Sequence, residues 1–397
     1  MYICNKIIAM KQTVGQIARK DKFFKRPDVR KQIVDNVGNG ENLLISAPRR
    51  VGKTSILMDL IDTPELNTYT VFLNTEEFDN PEKFFKLALK EILKSDLING
   101  FGRFSDRVKE FFANWSNRIN EITIGEVGIG IRQREKPDFY EELVNFLTTI
   151  NLEGKMILLL IDEFPFMLEH IKKKLGTDAV LHFLSQNRTL RQNPLFHEKI
   201  KFIYTGSIGV FNTIKKINGT DRINDLREIK IGALKKKDAE KFINELLQSK
   251  TGQTADKQIM DYILKKIEWW IPFYFQFLVS EINLENFNMD KTLSKKMIDK
   301  AFKEMTGEKG NVYFQHFKSR LSKSFTTKHE IEFITEFLLL LKKKEKIDFS
   351  LALNLAVKFG VNDKLDDMLE ILKHDGYIAE SKGYYKFYSP ILKTWWK

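Results

Sequence analysis

From Leu43 to Ile61 the chain reads LLISAPRRVGKTSILMDLI, and no other stretch limits the possible folds as much. Leu43, Leu44 and Ile45 form an apolar run of strand length. From Thr54 onward the apolar positions return at helical spacing. A buried strand that leads through a short loop into a helix is half of a βαβ unit, and such units stack into parallel sheets. The loop ends in Gly52-Lys53-Thr54, the close of a phosphate-binding pattern G-x-x-x-x-G-K-[ST], with Ala47 at the first glycine position. In this setting successive backbone N–H groups and the helix N-terminus converge on phosphate oxygens. The candidate contacts are Ala47, Pro48, Arg49, Arg50, Val51, Gly52, Lys53, Thr54 and Ser55. Lys53 would reach the β- and γ-phosphates as a point charge, and Thr54 would set its hydroxyl on Mg2+. Alanine at 47 adds one methyl group, which is tolerated if φ stays negative there.

About one hundred residues downstream, KMILLLIDEF (155–164) is an apolar strand that ends in two acids. Asp162 is the candidate metal ligand through its water shell, and Glu163 is placed to polarise an attacking water as general base. The plainer reading is that the two acids cap the next helix. A third run, FIYTGSIGV (202–210), ends in Thr205 and Ser207. If its strand lies between the other two, one of these hydroxyls orients the water; a turn is the competing reading. Paired motifs of this kind point to ATP binding and hydrolysis with Mg2+.

Strand-like runs at 42–46, 70–74, 156–161, 201–205 and 228–231 alternate with helical periods at 54–60, 81–93, 138–150 and 178–190. The alternation predicts an α/β fold with a parallel sheet over residues 1–234, interrupted by a β-hairpin insertion near 122–133. Helical periodicity follows over 235–324, and 325–397 reads as three helices with two short strands around a Ser-Lys-Gly turn.

The 397 residues suffice for two or three domains, and 43% hydrophobic content is enough to bury real cores. One cysteine, Cys4, excludes an internal disulfide framework and suits a reducing cytoplasm. Six scattered histidines form no ligand cluster for a transition metal. The longest apolar runs fall far short of the roughly 20 residues of a membrane span. The first residues lack the features of a signal peptide, and Met10 would serve equally as an initiator. A net charge of +12 suits either a solvated lysine-rich surface or a polyanion partner. The densest basic stretch, 11–31, carries eight Lys and Arg against Asp21 and Asp28.

These residues resemble the archaeal-type ATPases with a fused winged helix, relatives of AAA+ origin-recognition ATPases and of STAND signalling ATPases. KFFKRPDVRKQI (22–33) looks like that family's amino-terminal box, SAPRRVGKTS its phosphate loop, LLLIDEFPFML its acidic strand, and YTGSIG its sensor strand. INDLREIKIGAL (223–234) is similar to the join to the lid, and WIPFYFQFL (270–278) to the lid turn. The resemblance covers nearly the whole chain and implies a P-loop core, a helical lid and a C-terminal winged helix. It implies that Arg26 contacts adenine or ribose and that Pro272 marks the lid's nucleotide turn. It also implies an arginine finger, with Arg222 and Arg227 as the candidates ahead of Arg188 and Arg191. Asn74 is the candidate to hold Glu163 away from water.

The expected recognition helix, NDKLDDMLEILKHD (362–375), turns Asp363, Asp366, Asp367, Glu370 and Asp375 outward, against Lys364 and Lys373, while Leu365, Met368, Leu369 and Leu372 form its buried stripe. Outward acids repel phosphate, so this module is expected to contact protein. The leading reading is an ATP-driven switch. An ATPase that loads on DNA, with 11–31 as the contact, and a non-hydrolysing nucleotide-gated scaffold are the alternatives.

Overall fold

The computed structural model describes residues 11, 13–65, 67–94, 106, 109–111, 113–117, 137–206, 214–215, 217–283, 293–325 and 327–397. Ser207 and the hairpin expected near 122–133 lie outside them. The chain divides into two compact units. One comprises Arg26–Ala47 and Ile56–Ile231; the other comprises Met1–Lys25, Pro48–Ser55 and Gly232–Lys397.

The first unit is built on a five-stranded parallel sheet. In chain order its strands are β1 (Asn42–Ser46), β2 (Thr68–Asn74), β3 (Met156–Asp162), β4 (Ile200–Gly206) and β5 (Leu226–Lys230), and in space the order is β2-β3-β4-β1-β5. Every residue of β1 and β4 is buried, and so is all of β3 after Met156. Burial on both faces is why these segments read as unbroken apolar runs. The helices between them start on local signals. Asn80 accepts a hydrogen bond from the N–H of Glu82 and Pro81 opens α3 (Pro81–Ile92), and Asp138 caps α4 (Phe139–Thr149) by accepting from the N–H groups of Tyr140 and Glu141. Phe84, Phe85 and Phe183 meet edge to face, with centroids 5.2–5.7 Å apart, in the core beneath.

Strand boundaries moved most where burial is least. β5 begins two residues before its expected start at 228 because it is an edge strand of which only Ile229 is buried. Its limits follow backbone pairing with β1, Asn42 opposite Leu226, rather than an apolar run. Helix α1 (Pro27–Gly38) was not among the expected helical periods. Its Arg30 ties it to the far end of α2 (Lys53–Asp62) by bonds to the Asp59 carboxylate and backbone oxygen, the Thr63 carbonyl and Glu65.

The second unit is helical, with a small sheet at its C-terminal end. Helices Lys236–Thr251, Lys257–Ile267, Pro272–Ser280, Lys295–Thr306 and Glu308–Ser324 come first. Then follow Lys328–Lys344, Phe349–Lys358 and Leu365–His374, interleaved with strands β6 (Ile347–Asp348), β7 (Ile378–Ser381) and β8 (Tyr384–Phe387), before a final helix, Pro390–Trp395. The three strands pair antiparallel in the order β6-β8-β7, joined across the hairpin by Lys382 and Gly383, both at positive φ. β6 is two residues long, too short to leave a pattern in the sequence. Within Leu365–His374 the stripe of Leu365, Met368, Leu369 and Leu372 is buried, while Asp366, Asp367 and Glu370, like Asp363 before them, are exposed. Asp375, expected to face out, is instead turned in against Arg320 at 3.5 Å.

This C-terminal segment packs onto the helices that precede it. Tyr388 meets Trp269 at 4.2 Å between rings, the Tyr377 hydroxyl donates to the Phe317 carbonyl at 2.5 Å, and the Trp395 indole N–H donates to Asn311 at 2.8 Å. Lys386 of the hairpin pairs with Glu268 at 3.1 Å.

His316, on Glu308–Ser324, is held neutral. Burial first, then the charges of Arg50 and Arg49, pushes its imidazole down to about 3 from an ordinary 6.5. The unfolded imidazole takes up a proton near its ordinary value while the folded one does not. Its contribution to stability is therefore complete above about pH 6.5 and declines as the pH falls toward 3. Denaturant unfolding at pH 7 and pH 5 is expected to differ by about 1–2 kcal/mol from this source, and the difference should shrink in His316→Gln. An identical pH response in the two proteins would remove His316 from the account.

Candidate functional site

The loop between β1 and α2 has a defined backbone. Gly52 sits at φ 97° and Arg50 at φ 67°, both in the left-handed region. At Gly52 the need is torsional rather than spatial, since an added Cβ would meet nothing nearer than the Ser55 Cβ at 3.9 Å. Ala47 is fully buried, lies outside the positive-φ region and donates its N–H to the Gly206 carbonyl at 3.3 Å. Its extra methyl therefore asks nothing unusual of the chain. Lys53 opens α2 and is buried, its ammonium arching back to within 3.4 Å of the Pro48 carbonyl. Val51 and Ser55 are buried beneath the loop, and the Ser55 hydroxyl accepts from the Ala18 N–H at 3.1 Å. The first N–H groups of a ten-residue helix thus emerge directly from the loop.

In the sheet, β4 lies between β1 and β3, so the hydroxyl-bearing strand separates the strand leading into the loop from the acidic one. Thr205 donates its hydroxyl to the Asp162 carboxylate in a short bond across this spacing. Asp162 is 3% exposed. Its backbone carbonyl accepts twice from Thr75, from the N–H at 3.1 Å and from the hydroxyl at 2.8 Å. Thr75, fully buried just past β2, was missed in the sequence; its only signal is a hydroxyl immediately after a strand. Asp162 is thereby held from both sides, its main chain by Thr75 just past β2 and its carboxylate by Thr205 of β4.

Glu163 follows at φ 58° and ψ 35°, a left-handed conformation for a residue with a side chain. It occupies the cap position of helix α5 (Phe164–Leu175), yet its side chain makes no capping bond, which weakens the plain helix-cap reading. Strained backbone of this kind costs of order 1–3 kcal/mol and gathers at functional sites. Asn74, opposite Asp162 in the sheet, accepts the Glu76 N–H with its carboxamide oxygen at 3.1 Å, so it closes a local turn.

The arginines differ. Arg191 is buried and fixed by a two-pronged pair with Asp225, at 2.7 and 2.8 Å, and by a bond to the Tyr204 hydroxyl. Arg188 donates to the Asp221 carbonyl, and Arg222 is spent on Ser185 and Asp221. Arg227 is exposed on the edge strand β5. Arg26 stands half-buried at the cap of α1, and Pro272 opens the helix after the Trp-Ile-Pro turn. In the basic stretch 11–31, Lys11 is paired with Asp21 at 2.9 Å and Arg30 with Asp59 and Glu65. Among the described residues no helix is long and apolar enough to cross a membrane, and no cluster of three His, Cys, Asp or Glu could hold a metal unaided.

Solved structures share this architecture. A Walker-type ATPase of Pyrococcus abyssi matches with a TM-score of 0.62 at 15% identity, over 95% of this chain and 97% of its own. The ORC2 protein of Aeropyrum pernix, solved as ADPNP-ADP complexes, gives 0.55 at 12% identity over 93% and 90%. At these identities the likeness concerns the fold alone. No protein-family model and no curated protein matches the sequence.

The torsions generate a contrast at the two ends of the loop. Gly52→Ala is expected to cost about 1–2 kcal/mol in denaturant unfolding, the penalty of a left-handed backbone carrying a Cβ, whereas Ala47→Gly should cost less than half as much. Equal losses at both positions would contradict the assignment of strain to Gly52.

Proposed function

We propose that this chain binds ATP with Mg2+, hydrolyses it, and works as a nucleotide-dependent switch. The observation that carries the reading is the order of strands at one sheet edge. The phosphate-loop strand, the hydroxyl-bearing strand and the acidic strand stand side by side, and Thr205 is bonded to Asp162 between them. Ligands of open parallel sheets bind beyond the carboxyl ends of such strands. Residues 47–55 are read as the phosphate cradle, with Lys53 directed to the β- and γ-phosphates. Arg26 is assigned to the base or ribose, and the turn before Pro272 to the lid's share of the nucleotide.

The chemistry of the donors fits a hard divalent cation. Asp162 and Thr54 offer oxygen only, and Mg2+ is characteristically held by one or two carboxylates together with substrate phosphates. When bound, the cation neutralises charge on the phosphates. The protein's own part follows from its residues. Thr205 and Thr75 fix Asp162; Glu163, the residue after the strand end, is assigned to take the proton of the attacking water. Ser207 is the further candidate to orient that water. Of the arginine candidates, Arg227 is exposed while Arg222 is bonded to Ser185 and Asp221 and Arg191 to Asp225, so Arg227 leads Arg222 as the finger offered to a neighbouring molecule.

The lid is assigned to 235–324 and a winged helix to 325–397, with protein rather than DNA as its contact. The exposed acids of Leu365–His374 and the commitment of Lys386 to Glu268 support that choice.

Calorimetry with magnesium and ATP is expected to give saturable binding to the wild type, lost in Lys53→Ala and kept in Glu163→Gln. Phosphate release by Glu163→Gln should fall by about a hundredfold or more. Absence of binding to the wild type would sink the reading, and undiminished turnover in Glu163→Gln would return Glu163 to a capping role.

A further inference from the structure

Pro48–Ser55 groups in one compact unit with Gly232–Lys397, and Arg50 makes specific contacts within it. Its guanidinium carbon lies 3.9 Å from the ring centre of Phe273 and 5.3 Å from that of Tyr313, and its Nη2 donates to the Tyr313 carbonyl at 2.8 Å. Phe273 directly follows the lid turn at Pro272, and Tyr313 lies on Glu308–Ser324. The cage is closely built. Tyr313 sits edge-on to Phe273 and Phe277 at 5.4 and 4.8 Å, and Gly15 runs so near it that a Cβ there would fall 2.9 Å from the ring.

The same helix carries the contact onward. Phe314 meets Trp395 at 5.5 Å, and Phe317 meets Tyr377 at 5.4 Å and accepts its hydroxyl bond. Glu308–Ser324 therefore touches the loop through Tyr313 and the C-terminal segment through the next two aromatic positions. Arg50 accepts a left-handed backbone, φ 67°, while making these contacts. A side chain in that conformation persists only where its surroundings over-determine it.

We propose that Arg50 is the positioning residue of the loop: its guanidinium anchors the loop in the Phe273–Tyr313 cage and passes the loop's nucleotide state to the C-terminal segment, rather than binding phosphate itself. The proposal rests on the reading of 47–55 as a nucleotide cradle, and it makes a claim about the anchor that holds without nucleotide as well. Lysine cannot replace arginine here, because an ammonium lacks the planar face that stacks on Phe273 and the fork that reaches a carbonyl at the same time.

The test uses the full chain with Arg50→Lys, Phe273→Leu, Tyr313→Leu and Tyr313→Phe, plus the double variant Arg50→Lys/Phe273→Leu. Amide hydrogen exchange of the loop and of 308–324 is read first without nucleotide. Exchange is expected to rise about tenfold in the first three variants and not in Tyr313→Phe, since the ring and the accepting carbonyl are both kept. The double variant should be no worse than Arg50→Lys alone, because that change already removes the stack on Phe273. With magnesium and ATP at saturation for each protein, slowed exchange at 390–395 is expected in the wild type and in Tyr313→Phe and is lost in the other variants.

If Arg50→Lys behaves as wild type in both measurements, the anchor is wrong. If Arg50→Lys alone loses ATP affinity while Phe273→Leu and Tyr313→Leu bind normally, Arg50 is a phosphate ligand and the proposal is overturned. If the wild type binds no ATP, the functional reading fails by itself, and the nucleotide-free exchange still decides the anchor.

Discussion

Parallel pairing is the constraint on which everything else depends. Strands that run the same way end at the same edge, so every residue that follows a strand is delivered to one rim of the sheet. Here that rim gathers Asn74 and Thr75 from β2, Asp162 and Glu163 from β3, Thr205 from β4 and Ala47 from β1, residues up to 158 positions apart, the separation of Ala47 and Thr205. No local signal could bring them together. The bond from Thr205 to Asp162 and the two bonds from Thr75 to the Asp162 carbonyl then turn shared location into fixed geometry. A carboxylate held by its main chain and its side chain at once has little freedom left to lose when it meets a ligand.

How much of this was legible follows from which physical force left a trace in the sequence. Burial on both faces leaves apolar runs, so β1, β3 and β4 were located to within a residue or two. Edge strands are ruled by backbone pairing, which leaves no trace, and β5 and β6 were displaced or unseen for that reason. The Gly-Lys-Thr signature and the Asp-Glu pair were visible because they couple unusual residue types to strand ends. Thr75 was not, since a buried threonine that bonds a carbonyl looks like any other. The arginines were the least legible. Four similar side chains were distinguished only by their partners, and partners such as Asp225 for Arg191 are a tertiary fact. Arg50 belongs with them: its stack on Phe273 joins positions 223 residues apart in a way that no pattern announces.

The C-terminal segment is joined to the helices before it by aromatic contact more than by charge. Trp269 against Tyr388 and Phe314 against Trp395, both tilted, and Phe317 against Tyr377, edge to face, make a seam of large rings. Such a seam has two physical properties. It is insensitive to salt, unlike the pair between Lys386 and Glu268, and it resists gradual deformation, because rings that interlock must either stay or part.

Glu163 carries one more implication. Its left-handed torsion would suit glycine or asparagine better than any acid, so the folded chain pays for keeping a carboxylate at that corner. On the proposed role of Glu163 as general base, a lineage in which that role ceased to matter would drift toward glycine at this position and gain a sturdier protein. An acid found there in a descendant is consequently a mark of continued employment, legible in a single residue.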